Sequence, residues 1–325
     1  MSLAQKNSDI AWQPSATLEV IQQRARIVQA IRAFFGARGV LEVDTPLLCR
    51  TSVTDPHIES MRVHTGHADT CFLQTSPEYA MKRLLAFGIG SIYQISKAFR
   101  QEENGRYHNP EFTLLEWYRV GFTHHDLMNE VDDLLQCVLQ TPRANRFSYA
   151  ALFEQFLTIN PHQASLLELK ECAHKNDVHV EAEISDKDTW LQLLLSHCIE
   201  PHFAEDAPAF IYDFPVSQAA LSRIQHDQNP PTAARFEVYY RGIELANGFF
   251  ELQDAEEQRK RFEKNIEKRK QLGNPLLACD EHFLAALSYG LPDCAGVALG
   301  LDRLVMLAVG ASDIASVLAF DFTRV

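Results

Sequence analysis

The chain has 325 residues, is 46% hydrophobic and carries a formal net charge of −13. That length holds one large domain or two modest ones with a sizeable core. The acidic balance argues against broad, sequence-independent nucleic-acid binding, which relies on lysine and arginine displacing counterions; a local basic patch stays open.

No apolar run approaches the ~20 residues of a membrane helix. The opening MSLAQKNSDIAW has neither the basic start nor the apolar centre of a signal peptide, so a cytoplasmic address is expected. Seven scattered cysteines, never spaced C-x-x-C, predict reduced thiols.

Residues 1–16 form a polar lead-in. From Thr17, the residues Val20, Ile27, Ile31 and Phe34 or Phe35 share one stripe and predict a helix ending near Gly36 and Gly39. Residues 40–46, VLEVDTP, predict a strand stopped by proline, which suits a subunit interface or an ordinary blunted edge. His64, His67 and Cys71 could be assembled into a zinc site, but Thr65-Gly66 predicts a turn between the histidines and no fourth ligand is near. Ser76 can cap the next helix, with Pro77 at its first position and Glu78 complementing the dipole.

Residues 88–98 predict an apolar strand leading into FRQEENGRYHNPEFTLLEWY, two strands joined by a polar loop. By the period of two, Arg100 shares a face with Glu102, and Glu116 with Tyr118. Such charges point either into a site or onto a solvated surface. Residues 123–203 read as a helical insertion, and 209–215 return as a strand.

The stretch 236–251, FEVYYRGIELANGFFE, predicts two strands turning at Arg241-Gly242. Glu244 and Glu251 are an odd number of residues apart, so they converge only if Asn247-Gly248 is a bulge or bend; they would then suit Mg²⁺ held jointly with phosphates. Residues 254–272 predict a charged helix with Glu257 and Arg261 at i, i+4. Residues 295–307 predict a strand turning into a helix, where Gly296 and Gly300 allow close approach of a ligand and Arg303 sits in the first turn.

FRQE…HNPEFTLLEWY resembles motif 2 of class II aminoacyl-tRNA synthetases, GVALGLDRLVML resembles motif 3, and the helix and strand ending at Asp44-Thr45-Pro46 resemble the dimer-forming motif 1. Ser76-Pro77-Glu78-Tyr79 and residues 244–251 are closest to the lysyl branch. The resemblance implies an α+β fold: an antiparallel sheet flanked by helices in one catalytic domain spanning 1–325, with motif 1 at 17–46 and an insertion at about 123–205. Lysyl synthetases place an anticodon-binding barrel before motif 1, whereas here motif 1 begins almost at residue 1. That arrangement is similar to lysyl-synthetase paralogues that modify elongation factor P, and the expectation is a homodimer that uses elongation factor P, not tRNA, as acceptor.

By the same resemblance, ATP and Mg²⁺ activate a lysine-like amino acid such as (R)-β-lysine to an adenylate. Arg100 holds the α-phosphate and the substrate carboxylate; Arg303 holds the γ-phosphate and stacks on adenine opposite Phe112. Glu102, Asn109 and the backbone near Leu245 and Gly300 position adenosine, and Glu244 with Glu251 binds Mg²⁺. Glu116 with Tyr118 takes the distal amine; Glu78, with Ser76 and Ala298, takes the other amine, and Glu251 also contacts the amino acid. Lysyl synthetases carry alanine at the Ser76 position and glycine at the Ala298 position, so a shifted isomer preference is expected. The competing readings are a truncated lysyl-tRNA synthetase that reads only the acceptor stem and a catalytically silent sensor.

Overall fold

A computed structural model describes residues 12–66, 70–101, 104–180, 184–203 and 206–325. Helix α1 (Leu18–Gly36) starts where Thr17 Oγ1 accepts the Val20 amide. Its inner stripe buries Ile31, Phe34 and Phe35, and the Phe35 ring stacks on Tyr93 at 4.5 Å and meets Trp117 edge-on at 5.3 Å. The strand expected at 40–46 is shorter, since only β1 (Leu41–Glu42) pairs before the chain turns away at Asp44. Short strands β2 (Leu48–Cys49), β3 (Arg62–His64) and β4 (Thr70–Leu73) form a separate small sheet. His67 lies outside the described residues.

Helix α2 (Glu78–Phe87) precedes the hairpin of β5 (Ile92–Phe99) and β6 (Glu111–Val120), and α3 (His124–Leu139) follows. Then come β7 (Asn145–Ser148), α4 (Tyr149–Leu157), α5 (Leu166–Lys175), α6 (Lys187–Leu194), β8 (Ala209–Pro215) and β9 (Ile224–Gln225). The chain closes with β10 (Thr232–Tyr240), β11 (Ile243–Phe250), α7 (Ala255–Gln271), α8 (Glu281–Gly290), β12 (Cys294–Gly300) and α9 (Leu301–Val309). Among the described residues the main sheet runs β1-β5-β6-β12-β11-β10-β8-β7, with β9 beside β10. It is antiparallel except where β1 meets β5 and β7 meets β8.

Three apolar clusters hold this sheet. The largest packs α1, α3 and α9 on one face, against Leu115, Trp117 and Val297. The second gathers Tyr149, Phe153, Trp190 and Leu191 of α4 and α6. The third sets Met81, Leu85, Phe262 and Phe283 of α2, α7 and α8 against Ile92 and Tyr118 on the opposite face. Helix α3 therefore belongs to the main core and the helical insertion begins only after it. The apolar stripe of Leu127, Val131 and Leu134 fits either neighbour, and periodicity alone does not name the one it packs against. The seven cysteines are free thiols, and no helix among the described residues is long and apolar enough to cross a membrane.

Gly248 marks one tight point, because a Cβ there would overlap the Phe236 ring across the β10–β11 pair. Gly248→Ala is expected to lower stability by about 1–3 kcal/mol, since the fully buried ring has to move. An unchanged urea midpoint would show that Phe236 repacks freely.

Candidate active site

Strand registers put the site on the face opposite α1 and α3. Gln94 pairs with Glu116, Glu116 with Ala298, Ala298 with Asn247, and Asn247 with Glu237, giving one row across five strands. Side chains in such a row point to the same face. Phe112, Leu114 and Tyr118 share that face along β6, and Gly296 and Gly300 do so along β12.

One end of this face opens as a cavity of about 510 Å³. It is lined by Arg100, Asn109, Phe112, Glu237, Glu244, Leu245, Asn247, Ala298, Gly300 and Arg303, among others. The Arg100 guanidinium lies 5.1 Å from the Phe112 ring centroid. Arg303 donates to the Glu244 carbonyl at 2.8 Å and to the Tyr107 carbonyl at 3.3 Å, and contacts His108 Nε2 at 2.7 Å. Beside it, Asp302 accepts the Thr113 amide at 2.7 Å and pairs with Arg24 at 2.6 Å, which fixes the first turn of α9 to β6 and α1. Asn109 donates to the Glu111 carbonyl and accepts the Phe322 amide, so its amide also ties the loop to the C-terminal turn.

The other end is a sealed group of carboxylates. Glu116, 1% exposed, accepts hydrogen bonds from Ser76 Oγ at 2.9 Å and Tyr118 Oη at 2.7 Å. Burial, and then the Glu78 carboxylate, push its pKa up to about 7. Ser76 Oγ also accepts the Glu78 amide at 3.1 Å, although α2 starts one residue later than expected, with Pro77 at the N-cap position assigned above to Ser76. Lys82 extends its ammonium from α2 to Glu78 at 2.6 Å and to Glu251 at 2.5 Å. Burial opposes that charge, yet Glu251 and Glu78 override it and raise the amine's pKa. A side chain at Gly296 would overlap both Tyr118 and Glu251, so glycine makes room for the cluster.

Residues 2–324 match the family described as tRNA synthetases class II (D, K and N). A protein of Vibrio parahaemolyticus named elongation factor P–(R)-β-lysine ligase is 54% identical over 317 residues, covering 96% of this chain and 98% of that protein. Proteins of the same name are 51% identical in Edwardsiella ictaluri over 324 residues, 98% of this chain and 99% of that one, and 52% identical in Salmonella arizonae over 319 residues, 96% and 98%. This chain belongs to the class II synthetase family. The residues that resemble its motif 2 form the β5–β6 hairpin, those that resemble motif 3 form β12 with α9, and those that resemble motif 1 include α1 and β1.

The expected pairing of Glu244 with Glu251 in one cation site is corrected by the sheet. β11 does carry a bulge, but at Leu245: Tyr239 pairs with Glu244 while Val238 pairs with Ala246. This extra residue returns Glu244 and Glu251 to the same face, as the odd spacing required. They nevertheless stand roughly 20 Å apart along the strand, and Glu251 is committed to Lys82. The carboxylate beside Glu244 is Glu237, which also pairs with Arg235 at 2.5 Å and accepts the Tyr239 hydroxyl at 2.7 Å. Burial, and then the charge of Glu237, push Glu244 up to about 7.

Three further residues escaped sequence reasoning. Glu237 alternates with apolar neighbours and has no motif signal apart from being seven residues before Glu244. Lys82, at i+4 from Glu78, carried the i, i+4 signal but reads as an ordinary solvated pair. Gln94 sits in an apolar strand, 1% exposed, with both amide atoms unpartnered among the described residues and Glu116 as its register neighbour. Glu102 lies outside the described residues.

Lys82→Met would leave two carboxylates buried without their cation. A loss of about 3–5 kcal/mol is expected in urea denaturation; a loss below about 1 kcal/mol would show that the carboxylates are neutral in the folded protein.

Proposed function

We propose that this chain uses ATP to activate a lysine-like amino acid, (R)-β-lysine, and transfers it to a lysine amine of elongation factor P. The observation that carries this reading is the buried Glu116 carboxylate, bonded only by the Ser76 and Tyr118 hydroxyls among the described residues and placed one register step from Ala298 on the wall of the open cavity. The names of relatives matched over 98% of their own length supply the acceptor and the isomer.

ATP occupies the cavity, with adenine between Phe112 and Arg303 and its phosphates toward Arg100 and Glu244. The backbone at Leu245 and Gly300 and the Asn109 loop border the adenosine. Glu237 and Glu244 form a two-carboxylate donor set that fits Mg²⁺ shared with phosphates, and the ion would supply charge neutralisation there. The amino acid lies across Ala298, its distal amine against Glu116 and Tyr118 and its other amine toward Glu78, Ser76 and the Lys82–Glu251 pair. Its carboxylate oxygen attacks the α-phosphorus, the bond to the β-phosphate breaks, and pyrophosphate leaves. Arg100 stabilises charge on the α-phosphoryl oxygens, and Arg303 holds the departing phosphates. A planar guanidinium suits both tasks. In the second step a neutral acceptor amine attacks the adenylate carbonyl, the bond from that carbon to the phosphate oxygen breaks, AMP leaves and the amine gives up one proton as the amide forms.

The reading includes a homodimer through α1 and β1, where Leu18 and Leu41 are exposed, as are Leu47 and Leu48 just beyond β1. It is tested by measuring ATP–pyrophosphate exchange with β-lysine and α-lysine, followed by transfer to elongation factor P or to tRNA. Exchange favouring β-lysine with transfer to the protein is expected. Efficient charging of tRNA would establish the acceptor-stem synthetase instead, and no exchange with any lysine isomer would establish a silent paralogue.

Ala298→Gly removes the one methyl between Glu116 and Asn247 in the row, and the isomer ratio is expected to shift toward α-lysine by roughly tenfold or more. An unchanged ratio would take Ala298 out of the specificity argument.

Ligand binding is also expected to be proton-linked. Glu116 titrates near 7 in the folded chain against an ordinary 4.5, so between these values the native state holds the extra proton and its ionisation lowers stability as pH rises. An incoming ammonium displaces that proton, so affinity for β-lysine falls up to about tenfold per unit below pH 7 and levels off above it. Calorimetry at pH 6 in buffers of different ionisation heat reads close to one proton released in the wild type and none in Glu116→Gln. No release in the wild type would mean Glu116 is already ionised.

A further inference from the structure

On the far side of the sheet from the cavity, the start of α3 meets β8. There, among the described residues, His124, His125 and Asp213 bring their potential ligand atoms within 4.8 Å of one another. His124 is 3% exposed and neither of its ring nitrogens has a hydrogen-bond partner. A buried imidazole with two unsatisfied nitrogens is costly, and its Nε2 faces Asp213 Oδ1 at 3.6 Å, too far for a hydrogen bond.

Asp213 is fixed by its backbone and by a neighbouring side chain. Its backbone has a φ of +59°, the left-handed region that a non-glycine residue adopts at a cost. Gln225 donates to Asp213 Oδ1 at 2.7 Å, an outer-layer contact of the kind that orients a ligating carboxylate. His125 is exposed, its ring lies tilted against His124 with ring centroids 4.1 Å apart and packs edge-on against Tyr212, which leaves an entry route along its open edge. Burial, and then His124, lower the pKa of His125, favouring the neutral ring a metal needs. The positive end of α3 and Arg146 work against a cation here, but Arg146 is engaged with Asn129 at 2.8 Å.

We propose that His124, His125 and Asp213 form a binding site for a divalent transition metal of the zinc type, joining α3 to the strand that returns from the helical insertion. Two imidazoles and one carboxylate are a borderline donor set that suits Zn²⁺, Co²⁺ or Ni²⁺ rather than Mg²⁺. Ligand atoms on one tetrahedral zinc stand about 3.3 Å apart, so the 3.6 Å between His124 and Asp213 needs little adjustment. The fourth position is left to water. The site is independent of the adenylation reading.

The test uses the full chain, stripped with a chelator and dialysed into metal-free buffer. Titration with zinc sulfate is expected to show one ion bound per chain and a melting temperature raised by several degrees. Cobalt is expected to give the visible absorption of a tetrahedral nitrogen–oxygen site. Asp213→Asn and His125→Gln are each expected to weaken zinc binding at least tenfold and abolish the cobalt band, with far-UV circular dichroism reporting that the variants fold; His125→Gln touches the more exposed ligand and is the safer of the two. Absence of stoichiometric zinc in the wild type, or binding unchanged in both variants, would overturn the proposal.

Discussion

The contact on which the site depends is the Lys82 ammonium, held between Glu78 and Glu251 with almost no solvent. Three carboxylates, Glu78, Glu116 and Glu251, crowd this end of the sheet face, and one lysine cannot neutralise them all. The remaining carboxylate, Glu116, has hydroxyls as partners and burial as its environment, so it is the group most in need of an incoming cation. On the proposed reading, that imbalance is what selects an ammonium-bearing substrate. α2 supplies the lysine and the third apolar cluster packs around it, which is why helices away from the open cavity matter to its chemistry.

Much of this was legible in the residues. The hairpin of 99–118, the strand-to-helix turn before Arg303 and the turn at Arg241-Gly242 each carry local signals of alternation, glycine or capping, and the structure contains all three. Local signals fail where a choice of neighbour decides the outcome. Helix α3 was visible as a helix, but its attachment to the main core rather than the insertion depends on which surface meets its stripe. The motif 1 strand shrank to two residues because pairing with β5 ends where the chain turns away, a matter of path and not of propensity.

The site itself was half readable. Arg100, Phe112, Glu244 and Arg303 gather around one cavity, and Ser76, Glu78, Glu116, Tyr118 and Glu251 around one sealed cluster. Assigning Glu251 to the same cation as Glu244 failed because face and distance are separate conditions: parity says which side a residue points to, and only the register says how far along it lies. Glu237 was missed for the same reason, since its place beside Glu244 comes from strand pairing across a turn.

The bulge at Leu245 makes β11 sensitive to whether one residue stays unpaired more than to composition. Strand parity is a count modulo two, so if Leu245 were drawn into regular pairing at unchanged length, either the cavity carboxylate or the whole Asn247–Phe249–Glu251 series would pass through the sheet into the apolar layer. Removing one residue between Glu244 and Asn247 leaves an even spacing, which keeps both on the cavity face without a bulge. The unpaired residue is therefore itself part of the site, a requirement written in no single side chain.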